Sequence, residues 1–394
     1  MSIVSFFKSP QGFLQSTGVV HAYLYKKNTR KNLQTGEEES YPFSLFLTKM
    51  HREKKIKILS QVKVLHLFYE ASFFFLDLKV QQEQLEAHVP LAIEIEYQNL
   101  VKMDLVKAVR KIEIEEVSTV SFASYKKMFE EVYAELLRGN AYQINLTCPF
   151  RYRYQADYCA MDFMRYVWNK KHLLGAYAHA TWLKKEKLLF LSNSPENFFS
   201  LKINADSLSI ASRPIKGTMP LSHSKQLPRV LKNLKNSQKN KNELTIITDL
   251  IRNDLSAIGH SQAKVLYPQK FLQVPALLHQ YAYIESCINK RVSLKEILTH
   301  LFPAGSITGA PKKKVVMLIQ SIEQGSRGFY CGATLLSFKN KIQASVNIRS
   351  AVIDLNKKEI SCHAGGGITL LSKAPSEYAE MLLKKKSFMQ LFGP

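Results

Sequence analysis

The stretch Arg213-Pro214-Ile215-Lys216-Gly217-Thr218 puts one amine between a rigid approach and a flexible exit. Proline fixes the backbone before it, and glycine lets a ligand or a second backbone come close after it. An amine there is either a solvated turn lysine or a group held against a ligand, and the hexapeptide alone does not separate the two. Carboxylates supply a second kind of chemistry. Glu377 and Glu380 are three apart in a helical pattern and share a face with Lys384. They read as a surface salt bridge or as two oxygen donors to a hard divalent cation. Glu243 lies near the start of another amphipathic pattern, where the helix dipole favours an acid. Glu196 follows Ser194-Pro195, a break between two strand-like runs. Two glycine-bearing loops complete the set. Residues 302–314, FPAGSITGAPKKK, lead into a helix start whose amides can hold an anion, although the spacing is not that of a phosphate loop. Residues 363–368, HAGGGI, let backbone amides approach a ligand or make a tight strand-end turn.

These groups need a scaffold, and the chain is long enough to build one. Its 394 residues are 46% apolar and 22% charged, which suits a globular protein of one large domain or two. Residues 141–150, AYQINLTCPF, alternate: Tyr142, Ile144 and Leu146 point one way, and Gln143, Asn145 and Thr147 the other. That predicts a strand with an amide-rich polar face. The runs FFSLKI and SLSIASR flank Asn204-Ala205-Asp206, which predicts a hairpin whose second strand delivers Lys216 to the end of a sheet. Ser124 predicts the cap of a helix with the apolar stripe Tyr125, Phe129, Val132, Tyr133 and Leu136, ended by Gly139. A second helix buries Leu244, Ile247, Ile251, Leu255 and Ile258 and places Glu243 in its first turn. Pro311 and Lys312 open a third, and Pro375 the last. Residues 1–118 carry strand-like runs without recognisable chemistry. They are expected to pack as a divergent N-terminal region on the core formed by a catalytic domain, residues 119–394.

The formal charge is +23. Such a balance fits either nucleic-acid binding or a field that concentrates small anions. No zinc-finger spacing and no RNA-binding signature accompanies it, so nucleic acid is not an expected partner. No apolar run reaches the ~18 residues of a membrane helix, and the N-terminus has no signal-peptide pattern. Five cysteines without paired spacing suit a reducing cytoplasm.

In their order along the chain, YQINL, SPE, RPIKGT, ELTIITDLIRND, GSITGAPK, RGFYCG, IRS, AGGGI and SEYAE resemble the chorismate-utilising enzymes over residues 120–392. That family includes the large subunits of anthranilate and aminodeoxychorismate synthases, and the isochorismate and salicylate synthases. The resemblance implies an α+β fold: two β-sheets packed as a sandwich, with helices outside. It implies a Mg²⁺ that anchors the ring carboxylate of chorismate, with Glu243 and Glu380 matching the metal-binding glutamates and Glu377 a carboxylate beside them. Arg349 and Tyr330 match residues that grip the enolpyruvyl carboxylate, with Gly365, Gly366 and Gly367 near it. Lys384 matches a lysine beside the metal carboxylates, Thr218 a residue of the substrate site, and His279 a histidine near the ring.

Glu196 matches the general acid that helps the ring hydroxyl leave. Isochorismate and salicylate synthases activate water with a lysine where this chain has Gln143, which is no base. Anthranilate synthases resemble Pro-Ile-Ala-Gly-Thr where this chain has Pro-Ile-Lys-Gly-Thr. The resemblance therefore implies that Lys216 adds to ring carbon 2 as the carbon-4 hydroxyl departs. Ammonia then adds at carbon 4 and expels the lysine, giving 4-amino-4-deoxychorismate, the step before p-aminobenzoate and folate. No glutaminase signature is present, so a separate glutamine amidotransferase is the implied source of ammonia. Anthranilate synthesis is the alternative. The chain departs from the family pattern at Asn197, Ala304 and His363. The tryptophan-pocket motif of many relatives is not visible in the N-terminal region.

Overall fold

The computed structural model describes residues 3–10, 12–53, 56, 59–104, 111–221, 226–274, 277–323 and 325–393. Alternation along the strands sets the architecture. In Ile3–Ser9, Ile3 and Phe7 face one apolar layer while Val4 and Phe6 face another. In Leu59–Leu67, Val62 and Val64 join Ile93, Ile95 and Tyr97 in the first layer, and Leu65 and Leu67 turn to the second. The second layer lies under helices. Trp168 of helix Ala160–Asn169 stacks on Phe13 at 4.7 Å and meets Phe6 edge-on at 6.0 Å.

The first layer is enclosed by the sheet itself. Antiparallel pairings run without a break from Gln143–Arg153 through Glu359–Ile368, Ser350–Asp354, Leu188–Ser194, Tyr177–Leu183, Ile3–Ser9 and Gly12–Tyr25. They continue through Ala92–Met103, Leu59–Leu67, Ala333–Lys339, Lys341–Val346, Asn197–Ile203 and Ser207–Arg213 to Leu277–Asn289. The ladder folds back so that distant strands face each other. His66 Nε2 and Thr181 Oγ1 are 2.8 Å apart, as are Ser5 Oγ and Tyr97 OH, and Phe68 meets Phe190 edge-on. This is an α+β fold with two facing β-layers and helices outside. One refinement to the sandwich expectation is that continuous pairing joins the layers.

Several sequence expectations hold locally. Strands Asn197–Ile203 and Ser207–Arg213 form the hairpin around Asn204, and helices begin at Lys312 and Ala374. Others shift. Helix Phe122–Leu137 is capped by Ser121, not Ser124, because the Ser121 hydroxyl accepts the Ser124 amide at 3.2 Å. Helix Gln238–Ala257 starts earlier than expected, capped by Ser237, so Glu243 sits in its second turn rather than its first. Ile251 is only partly buried, while Leu244, Ile247, Leu255 and Ile258 are in the core. Among the described residues no helix is long and apolar enough to cross a membrane.

Lys312 ties two of these helices together. Its ammonium donates to Asp254 Oδ2 at 2.7 Å and to the carbonyls of His300 and Leu301, the open end of helix Leu294–Leu301. Burial lowers the lysine and raises the carboxyl, and each partner offsets the other. Removing one member of such a pair strands the other. Lys312→Met is expected to destabilise the fold by about 3 kcal/mol in urea unfolding, with the Lys312→Met/Asp254→Leu double variant recovering much of the loss.

Candidate active site

The strand break at Lys216 comes first in building the site. Strand Ile215–Pro220 pairs with Leu277–Asn289 at Ile215 and again at Thr218, and the register shifts between them. Such an irregularity re-aims a side chain out of the ladder. Gly217 permits it with φ +85°, and a Cβ there would fall 2.9 Å from Gln280 Nε2. Lys216 is half-buried. Burial lowers its pKa; Glu243, Glu196 and Glu380 pull it back up, while Lys384 adds to the fall. The amine thus lies within electrostatic range of four charged groups from three parts of the chain: Glu196, Glu243, and Glu380 with Lys384 on the last helix. The side chain of Thr218 lies outside the described residues; its backbone pairs with His279.

Glu196 stands at the irregular junction between Leu188–Ser194 and Asn197–Ile203. Its amide donates to Ser194 Oγ at 3.2 Å, and its carbonyl accepts from Val346. It is 7% exposed, and burial raises its carboxyl, with Ser306 and Lys216 opposing. Ser306 is a residue the sequence reading passed over. Its buried hydroxyl lies beside the Glu196 carboxyl and favours the ionised form, against the effect of burial. The signal was the unusual glycine loop around it.

A second cluster lies next to the first. His279 is buried and depressed to about 4 by desolvation, then by Arg349. It is therefore neutral near pH 7. Arg349 has φ +50°, a left-handed conformation that a non-glycine residue adopts at a cost. Burial lowers its guanidinium, and the neighbouring Tyr330 opposes that. Tyr330 is buried, which drives its hydroxyl far up, and its ring stacks on His363 at 5.4 Å and 15°. His363, a departure from the family pattern, thus backs a residue of the site.

The glycine strand and the last helix close the other side. Lys384 Nζ bridges Glu380 at 2.9 Å and donates to the Gly365 carbonyl at 3.0 Å. A Cβ at Gly366 would lie 3.5 Å from both Glu377 Oε2 and Lys384 Nζ, and one at Gly367 would lie 2.6 Å from Gln143 Nε2. The glycines therefore let this strand run directly beside Glu377, Lys384 and the buried Gln143. Glu377 is itself buried and accepts from Ser372 at 2.8 Å.

The structure thus brings Lys216, Glu196, Glu243, Glu380 and Lys384 into one electrostatic neighbourhood. Gly365, Gly366, Gly367, Gln143 and Glu377 lie against Lys384 or one another, and His279, Arg349 and Tyr330 form the adjoining row. Among the described residues no three His, Cys, Asp or Glu side chains are drawn together as ligands of one ion. The donor set is nonetheless all oxygen, and Mg²⁺ asks for only one or two carboxylates, with water and substrate filling the rest.

An architecture and a site of this kind define a family. The chorismate binding enzyme family matches residues 20–390, and the chain belongs to it. The match reaches well into the N-terminal region, beyond the motifs recognisable in sequence. Aminodeoxychorismate synthase component 1 of Salmonella typhimurium is 32% identical over 270 residues, which span 67% of this chain and 56% of that protein. Anthranilate synthase component 1 of Saccharolobus solfataricus is 29% identical over 276 residues, 68% of this chain and 62% of that one. The chain spans little more than half the length of the aminodeoxychorismate synthases it matches. Anthranilate synthase component I from Streptococcus pneumoniae shares the fold, with a TM-score of 0.74 at 16% identity over 95% of this chain and 91% of that one.

Proposed function

We propose that this chorismate-binding enzyme aminates chorismate at ring carbon 4, giving 4-amino-4-deoxychorismate on the way to p-aminobenzoate and folate. The observation that carries the reading is Lys216: a partly desolvated amine, set at a break in its strand, within electrostatic range of Glu243, Glu196 and Glu380. Desolvation makes a lysine a nucleophile at a pH where a free one is almost wholly protonated. Its nitrogen forms a bond to carbon 2 of the ring. Both ring double bonds shift, carbon 1=carbon 2 to carbon 1=carbon 6 and carbon 5=carbon 6 to carbon 4=carbon 5, and the carbon-4 hydroxyl leaves as water with a proton from Glu196. Ammonia then bonds to carbon 4, the two double bonds shift back, the carbon–nitrogen bond to Lys216 breaks to release its neutral amine, and the new amino group gives up the proton that restores Glu196. Arg349 and Tyr330 orient the enolpyruvyl carboxylate, with the backbone at Gly365–Gly367, the side chain of Gln143 and residue Thr218 completing the substrate site. Neutral His279 sits by the ring. Glu243 and Glu380 would hold Mg²⁺, with Glu377 reaching it through water; when bound, the ion would neutralise the ring carboxylate.

The ammonia source in this reading is a separate glutamine amidotransferase subunit. The five cysteines, all free, are consistent with a reducing cytoplasm. Incubation with chorismate, Mg²⁺ and an ammonium salt, with products identified by mass, tests the reaction. The expected product retains the enolpyruvyl group. Anthranilate with release of pyruvate would instead assign the chain to the relative's activity.

The two shifted groups also fix a pH profile. Lys216 acts as the neutral amine, so the rate rises as pH climbs and its lowered pKa is approached. Glu196 acts as the protonated acid, so the rate is lost at high pH, where its carboxyl is ionised. The dependence of kcat/KM on pH is expected to be bell-shaped, and Glu196→Gln is expected to remove the Glu196 limb from what activity remains.

A further inference from the structure

We propose that Arg327 and Glu323 are positioning residues, a buried ion pair that fixes from behind three separate segments bearing the candidate site. The pair is a two-pronged one. Arg327 Nε donates to Glu323 Oε2 at 2.8 Å and Nη2 to Oε1 at 2.6 Å. Both side chains are almost wholly buried, 2% and 8% exposed. What distinguishes this pair from a simple salt bridge is where the remaining hydrogens go. Nη1 donates to the Ile307 carbonyl at 2.9 Å, and Nη2 also to the Asn145 carbonyl at 2.6 Å. Glu323 Oε1 accepts the Thr147 amide at 2.7 Å.

Each contact falls next to a residue of the site. Asn145 and Thr147 lie on the strand opened by Gln143, directly opposite Gly367 and Gly365. Ile307 follows Ser306, whose hydroxyl is beside Glu196. Arg327 itself begins the turn that presents Tyr330. The turn is pinned on its far side, where Gly328 accepts from the Tyr69 amide at 2.8 Å and donates to the Glu70 carboxylate at 3.2 Å. The guanidinium also lies 4.7 Å over the Tyr69 ring. One planar fork therefore sets the spacing between the substrate strand, the loop beside the acid and the tyrosine turn. A lysine cannot reproduce this, because it has no fixed fork. An apolar pair would fill the volume without the burial cost of two charges. The charged pair brings a geometry that apolar packing does not specify.

The effect on rate rests on the reaction proposed above; the structural effect does not. The full chain carrying Arg327→Lys, and the double variant Arg327→Met/Glu323→Met that keeps the volume without buried charge, are compared with the parent in two measurements. Hydrogen exchange of segments 143–148, 305–310 and 328–333 is expected to lose protection together in both variants, with 92–103 unchanged. With chorismate, Mg²⁺ and ammonium, kcat is expected to fall on the order of 100-fold, as a shift of about 1 Å at a reacting centre can do. KM is expected to change far less, and added guanidinium at low concentration to restore part of the rate in Arg327→Ala. Parent-like kcat in either folded variant overturns the proposal, as does loss of protection spread evenly over the chain. If the parent itself leaves chorismate untouched, the reaction assignment fails, and hydrogen exchange still decides whether the pair holds the three segments.

Discussion

Lys216→Ala is expected to form 4-amino-4-deoxychorismate slower by on the order of 10³-fold or more, since it removes the group that splits one displacement into two. Carbon 2 of the ring is then open to ammonia directly. A trace of anthranilate-type product is the expected residue of activity, read by mass and fluorescence. Unfolding is not the cause to be anticipated. The amine has a lowered pKa in the fold, so the folded state binds its proton less tightly than the unfolded chain does. Wild-type stability is therefore diminished at pH below the usual lysine value and regained only as pH rises toward it. At neutral pH alanine removes a cation the fold disfavours, and the variant should unfold in urea at the same concentration or a higher one.

Glu196→Gln is the second large effect. Glutamine keeps the size of the side chain and a hydrogen-bonding face but has no proton to give. The carbon-4 hydroxyl is a poor leaving group, and general acid catalysis is worth roughly 10²–10⁴ in rate. The drop should fall on kcat, with chorismate binding little changed, because a neutral amide replaces a carboxyl that burial already favours in its neutral form. An equal fall in substrate affinity with kcat intact would assign Glu196 to binding instead. Ser306→Ala offers a milder companion. It leaves the acid in place and removes only the hydroxyl beside it.

What the sequence revealed followed from local pattern. The hairpin around Asn204 was legible because two alternating runs flank a turn, and the last helix because Pro375 precedes Glu377, Glu380 and Lys384 at helical spacing. The first cap differs because Ser121 and Ser124 both suit it and lie three residues apart, and the helix bearing Glu243 starts earlier because Ser237 caps it, which the polar run before Glu243 does not announce. The chemistry-bearing groups were recognised through their order, which the family shares. Less legible were contacts between segments distant in the chain. Glu323 and Arg327 are four apart and look like an ordinary surface pair. Their partners at Asn145, Thr147 and Ile307 are backbone groups, which no side-chain pattern announces. The role of His363 was hidden for the same reason, since its stacking partner Tyr330 lies in another segment. The N-terminal strands carried no chemistry in sequence, yet Ile3–Ser9 pairs with Tyr177–Leu183 and Leu59–Leu67 with Ala333–Lys339, between strands of the catalytic part.

The central claim is that a single amine becomes bonded to the ring. Full-length protein quenched during reaction with chorismate and Mg²⁺, with ammonia withheld, and then digested for mass spectrometry tests it most directly. The account predicts a peptide containing Lys216 heavier by chorismate less one water, absent from Lys216→Ala and lost when ammonium is added before quenching. No mass added at Lys216 at any time point, in protein that forms 4-amino-4-deoxychorismate steadily once ammonium is supplied, would contradict it.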